Sequence, residues 1–166
     1  TNTAFGLDAL ISNTTGILST AIGKGAMENA NANYSTAIGT DTLTVSTGNA
    51  NVAVGGASLR LNTTGVVNVA MGNNSMENNT TGSYNTALGA VALFNNLTGS
   101  NNTAIGSDSL RSNTTGSNNV ASGRISLFSN TTGSRNTATG YESLFSNTTG
   151  GYNTANGMVS LYSNTT

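Results

Sequence analysis

The sequence predicts an all-β fold, a parallel β-solenoid or β-roll of ten ~17-residue coils with two short strands in each coil. Three observations lead there. A motif, N-T-A-x-G, recurs at a nearly fixed interval along the whole chain. Glycine stands at the same place in every copy. Apolar residues are confined to a few places per copy.

The repeat comes first, because a fixed short period is the signature of a stacked architecture. Copies begin at Asn2, Ser19, Ser35, Asn51, Asn68, Asn85, Asn102, Asn119, Asn136 and Asn153, spaced 17, 16, 16 and then 17 residues apart. Residues 1–166 therefore form one repeat array, with no linker and no second domain between copies. The unit reads N-T-A-x-G-x-x-S-L-x-x-N-T-T-G-x-x, and its positions are called columns one to seventeen. Propeller blades and helical repeats need units of roughly 33–50 residues, so a unit this short points to a coil of β-structure.

The strand is read from columns two to four. Column two is always Thr or Val, column three always Ala, and column four mostly large and apolar. Residues two apart share a strand face. Columns two and four are therefore expected to point inwards together, with Ile22, Ile38, Val54, Met71, Leu88 and Ile105 as core residues. Column nine supplies a second apolar file: Leu10, Met27, Leu43, Leu59, Met76, Leu93, Leu110, Leu127, Leu144 and Leu161. Between them lies the column-five Gly, which permits a tight corner at positive φ. The Gly of N-T-T-G, with its preceding Asn, suits the other corner. One unit cannot bury its apolar points, but stacked copies make a continuous core. The recurring Asn of column twelve, in Asn13 and from Asn62 to Asn164, is expected to form a hydrogen-bonded amide ladder. Two glycines per unit and no 3.6-residue apolar stripe oppose a helix.

Composition narrows the function classes. Charged residues are 7% of the chain, the net charge is −1, and no basic cluster exists. Binding to nucleic acid through phosphate neutralisation has little to act on, and no run approaches the ~20 apolar residues that span a bilayer. Neither nucleic-acid binding nor membrane insertion is expected. The chain has no His and no Cys, which removes Ser–His–Asp and Cys–His nucleophile systems, disulfides and the common zinc sites. The six acids fall in six different copies, and none shares a column with an acid of the adjacent copy, so no glycosidase-type pair is expected. The segment Gly23–Glu28 lacks the P-loop spacing. No catalytic residue, cofactor or metal site is expected, and the chain does not read as an enzyme.

The copies differ in ways that bear on function. Column four turns polar in the last three copies, at Ser122, Thr139 and Asn156, where column ten turns aromatic at Phe128, Phe145 and Tyr162, anticipated by Phe94. Two explanations stand open: column ten is an outer interaction surface that becomes sticky, or its aromatics fill core space that column four gives up. The one-residue deletions around Asn29–Asn33 and Gly48 are read as shorter corners. Terminal coils expose unpaired backbone edges, so the chain is expected either to belong to a longer array or to have its ends covered by neighbouring chains. The Thr columns raise ice binding as an alternative function. Against it, adjacent Thr in columns thirteen and fourteen of a strand would point to opposite sides, and column two is expected to face inwards.

The unit Asn102–Asn118, NTAIGSDSLRSNTTGSN, resembles the repeats of bacterial and phage fibre proteins. STAIG at Ser35–Gly39 and NVAVG at Asn51–Gly55 resemble the short units of trimeric autotransporter adhesin heads. The N-T-A-x-G…N-T-T-G arrays resemble tail-fibre-like proteins that carry a C-terminal chaperone domain. The resemblance implies a left-handed β-roll, three chains side by side, and an extracellular, cell-surface or virion location. The expected function is a rigid structural and adhesive fibre segment. Its expected partners are itself, as a homo-oligomer or filament, and a cell-surface glycan or receptor.

Overall fold

Each coil contains one regular strand of three residues, and the strands stack in chain order. The computed structural model describes all of residues 1–166. The strands are β1 (Thr3–Phe5), β2 (Thr20–Ile22), β3 (Thr36–Ile38), β4 (Val52–Val54), β5 (Val69–Met71), β6 (Thr86–Leu88), β7 (Thr103–Ile105), β8 (Val120–Ser122), β9 (Thr137–Thr139) and β10 (Thr154–Asn156). They form a single parallel ten-stranded sheet in the order β1 to β10. Register is column on column, with Ala4 opposite Ala21 and Ala138 opposite Ala155. The chain is a β-solenoid. At roughly 4.8 Å per rung, ten rungs span about 48 Å.

The expected second strand is absent, and its place is taken by successive turns. In the seventh coil Ser109 N–H donates to the Gly106 carbonyl and Asn113 N–H to the Leu110 carbonyl, each three residues back. Asp108, the third residue of the first of these turns, has φ 56°, as in a type II turn, and Leu110, the first residue of the second, also has positive φ, 50°. Columns seven and nine repeat this conformation up the stack. The consequence for packing is specific. A strand alternates its side chains, whereas this turn ribbon turns two consecutive residues inwards: Ser58 with Leu59, Ser109 with Leu110 and Ser143 with Leu144 are all fully buried.

Leucine in the left-handed region costs roughly 1–2 kcal/mol. Burying the side chain returns about 1.5–3 kcal/mol, so burial wins at column nine. Column seven has no such compensation. It holds Asp8, Gly25, Asp41, Asn74 and Asp108, residues suited to positive φ, but also β-branched Ile125 at φ 52° on the surface side. Ile125→Asn is therefore expected to stabilise the protein by about 1 kcal/mol, read as a rise of roughly 2–4 °C in Tm by scanning calorimetry.

The core is narrower than the apolar columns predicted. Met27, Leu43, Leu59, Met76, Leu93, Leu110, Leu127 and Leu144 are fully buried, while Leu10 in the first coil is partly buried and Leu161 in the last is half exposed. Column-three Ala is buried from Ala21 to Ala155. Column four is not in the core. Ile22 is 38% exposed, Ile38 37%, Met71 45% and Ile105 42%, and Val54 and Leu88 are intermediate. Column two lies on the same outer face. The period-two pattern was correct and its sense inverted. A coil of this perimeter holds one large side chain, from column nine, and only Ala fits opposite it at interior packing density.

Two amide ladders line the interior, both at 0–1% exposure over most of their length. In column twelve, Asn113 Nδ2 donates to Asn96 Oδ1 at 2.8 Å and to the Gly116 carbonyl at 2.9 Å. The same pattern runs from Asn79 to Asn164. Column one forms a second ladder that the sequence reading did not anticipate. Asn102 N–H donates to Asn85 Oδ1 at 2.9 Å, and Asn102 Nδ2 donates to the Gly116 carbonyl at 2.9 Å. From Gly65 to Gly150 each corner glycine carbonyl thus clamps one amide from each ladder. No buried side-chain N or O lacks a partner, which is what keeps a polar interior from destabilising the fold.

Asn13 stands apart from the column-twelve ladder, because Ala30 and Ser46 occupy the two intervening rungs. These are the coils with 16-residue spacing. There, one residue instead of two separates the ladder position from the next corner, and Ser46 Oγ accepts from Asn62 Nδ2 at 2.9 Å in place of an amide.

Candidate functional site

The outer surface of the strand sheet is the principal candidate. Columns two and four point outwards from every coil, so the sheet presents two parallel files at the rung spacing. From Phe5 to Ile105 the column-four file is uninterrupted large apolar side chain over seven coils; it then becomes Ser122, Thr139 and Asn156. Column two beside it is Thr in seven coils and Val in three, Val52, Val69 and Val120. None of these residues has a structural task inside the coil. An exposed aliphatic file of this length exceeds the scattered apolar residues normal on a surface.

Column ten lies on the turn ribbon, outside the core in every coil. Phe128 and Phe145 stack with centroids 5.2 Å apart and planes 6° apart, and Phe145 and Tyr162 with centroids 5.0 Å and planes 3° apart. The Arg111 guanidinium lies 5.6 Å from the Phe128 centroid and separates Phe94 from the stack. Leu127 and Leu144 remain fully buried beside it, so these aromatics do not replace core. Of the four proposed surface residues the structure brings three together. Earlier in the same column Arg60 pairs with Glu77 at 2.6 Å, a partly exposed contact worth about 1 kcal/mol or less.

Columns thirteen and fourteen form no strand, and both face outwards. Column-thirteen hydroxyls are committed: Thr114 Oγ1 donates to the Thr131 carbonyl at 3.0 Å and Thr131 Oγ1 to the Thr148 carbonyl at 3.0 Å. Column fourteen differs. Thr64, Thr81, Thr98, Thr115, Thr132 and Thr149 are all exposed, and their hydroxyls lie free along one edge. The expectation that column two faces inwards, and that adjacent threonines point to opposite sides, is corrected on both points.

Around the polar rungs of the sheet the flanking columns carry cations beside aromatic rings. Arg124 lies 5.8 Å from the Tyr141 centroid in column six, and Arg135 lies 5.0 Å from the Tyr152 centroid in column seventeen. Donation of the Tyr141 hydroxyl to the Glu142 carboxylate raises the phenol above its ordinary pKa, while Arg124 acts the other way. The surface has no cavity, and no three acidic side chains converge. No protein-family model matches the chain, and no curated protein or solved structure shows significant similarity to it.

Proposed function

We propose that this protein is a rigid structural and adhesive fibre segment that associates with copies of itself through the outer face of its strand sheet. The observation that carries this is the exposed column-four file from Phe5 to Ile105. A partner covering that face must match an apolar surface repeating at roughly 4.8 Å over seven rungs. A second copy has that period by construction.

The change of chemistry along the file selects the orientation. Parallel copies in register place the aliphatic rungs of β1 to β7 against one another and leave Ser122, Thr139 and Asn156, which have no apolar area to bury, open to solvent at the other end of the face. An antiparallel pair would set Phe5 against Asn156 and Ile22 against Thr139, burying polar groups against apolar ones at a cost. A parallel cyclic assembly follows, with three copies the number the fibre resemblance implies. Three-residue strands over the seven aliphatic rungs give a flat face of about 340 Å²; columns six and seventeen of the same rungs widen it towards the ~800 Å² per partner of a stable interface. We further propose an extracellular site of action, on a cell or virion surface. Backbone bonded from coil to coil, with no long loop, suits an environment rich in proteases.

Sedimentation equilibrium tests the reading. The protein is expected to have the mass of a small whole number of chains, and Ile22→Ser/Ile38→Ser/Met71→Ser is expected to be a monomer with unchanged circular dichroism. A wild-type protein that stays monomeric at tens of micromolar sinks self-association through this face.

Ice binding is the second reading, favoured by the free column-fourteen hydroxyls and the outward threonines of column two. It requires thermal hysteresis above buffer, abolished by Thr98→Tyr/Thr115→Tyr/Thr132→Tyr. Hysteresis equal to buffer removes it.

A further inference from the structure

We propose that the polar end of the strand sheet, over β8 to β10, is a binding surface for an anionic saccharide. The proposal rests on the adhesive reading and gives its ligand a chemical class. Past Ile105 the floor of the sheet changes from aliphatic to hydroxyl and amide, and the flanks change in the same coils. Arg124, 5.8 Å from the Tyr141 centroid, stands on one side, and Arg135, 5.0 Å from the Tyr152 centroid, on the other. Columns seventeen and six lie six positions apart across the strand, at most about 20 Å of chain. The surface between the two rails is broad enough for a short oligosaccharide.

Charge complementarity sets the class. Arg60 and Arg111 are paired with Glu77 and Asp108, whereas Arg124 and Arg135 have no carboxylate partner. The first seven coils carry five acids and three bases, and the last three carry two arginines and one acid, Glu142. The positive end of a net-negative chain coincides with its polar floor. Each guanidinium is held beside a ring, Arg135 with its Nη1 donating to the Tyr152 hydroxyl and Arg124 next to a Tyr141 phenol that also engages Glu142, and the fork of each keeps further N–H donors for a ligand. Such donors match carboxylate or sulfate in a two-point fork. Hydroxyls of Thr137, Thr139 and Thr154 offer both donors and acceptors to sugar hydroxyls.

Isothermal titration calorimetry of the full chain tests this with three probes: tetragalacturonate, a heparin-derived tetrasaccharide and maltotetraose. Binding of a carboxylated or sulfated probe is expected, weakening with salt, with maltotetraose at least about tenfold weaker. Arg124→Gln/Arg135→Gln is expected to lose about tenfold or more in affinity. Lys24→Gln, in the same column as Arg124 but beside aliphatic rungs, is expected to change nothing. No binding of either anionic probe, equal binding of maltotetraose, or indifference to the double substitution overturns the proposal. Sedimentation of the same samples reads self-association separately, so failure of one reading is distinguished from failure of the other.

Discussion

Gly106→Ala is expected to open the stack between the seventh and eighth coils, lowering stability by more than about 4 kcal/mol. Two independent causes add. Gly106 has φ 121°, a region that residues with a Cβ occupy only under roughly 1–3 kcal/mol of strain. A Cβ there would also stand 2.7 Å from the Gly123 carbonyl carbon and 2.8 Å from its oxygen. Those are backbone atoms, so no rotamer change relieves the overlap. Relief requires the coils to separate, and the Gly123 N–H bond to the Ile105 carbonyl, 2.8 Å, is the first to lengthen. Thermal unfolding followed by circular dichroism checks this, with Gly157→Ala as the comparison. Gly157 has φ 120° but open space where its Cβ would go, so it carries the strain without the clash. A loss at Gly106 no larger than at Gly157 would show that inter-coil approach is not what fixes this column.

The same column shows what a reader of the sequence can and cannot recover. Period, coil length and both corners were legible, because glycine and the N-T-T-G phrase recur at a fixed spacing and each coil must close on the next. The direction of the strand was not. Thr103-Ala104-Ile105 alternates, and alternation alone fits either sense; hydrophobicity chose Ile105 for the interior, and volume put Ala104 there instead. A signal against the choice was present in the chain. Column three never departs from Ala, whereas column four drifts from Phe5 through Met71 to Asn156. A position with one large neighbour and no spare volume admits one small residue, and an outer face admits many. The column-one ladder left a similar trace, being Asn or Ser in every copy. Positive φ at Leu110 left none, because leucine is a poor guide to left-handed backbone, and without it the consecutive burial of Ser109 and Leu110 has no strand-like explanation.

The candidate surface was legible only in part for the same reason. Phe128, Phe145 and Tyr162 stood out by residue type and by spacing, and they stack. The aliphatic file was assigned to the core, so the sheet's outer face went unseen. Arg124 over Tyr141 and Arg135 over Tyr152 join residues a full repeat apart. Such pairs emerge only when the columns are read up the stack and one copy is set above the next.

Leu110→Asp is expected to unfold the middle of the stack while leaving distant coils intact. Leu110 is fully buried in a file with Leu93 and Leu127. Its φ of 50° suits Asp better than Leu, so the backbone contribution favours the substitution and cannot explain a loss. What remains is burial. Truncating a core leucine costs roughly 2–5 kcal/mol, and an unpaired carboxylate in the same place adds several more or takes up a proton. Burial raises the folded-state pKa of the introduced carboxyl, so the penalty is largest above that pKa and eases as pH falls towards the unfolded value of about 3.9. Because each coil contacts only its neighbours, hydrogen exchange is expected to lose protection around β6 to β8 and to keep it at β2 to β4. Asp108→Asn is the control: it lies in the same turn ribbon, keeps a residue suited to φ 56°, and gives up only the 3.4 Å contact with Arg111, worth about 1 kcal/mol or less. Equal tolerance of the two substitutions would contradict a single leucine file as the core, whereas collapse of all ten coils together would show that the stack unfolds as one cooperative unit.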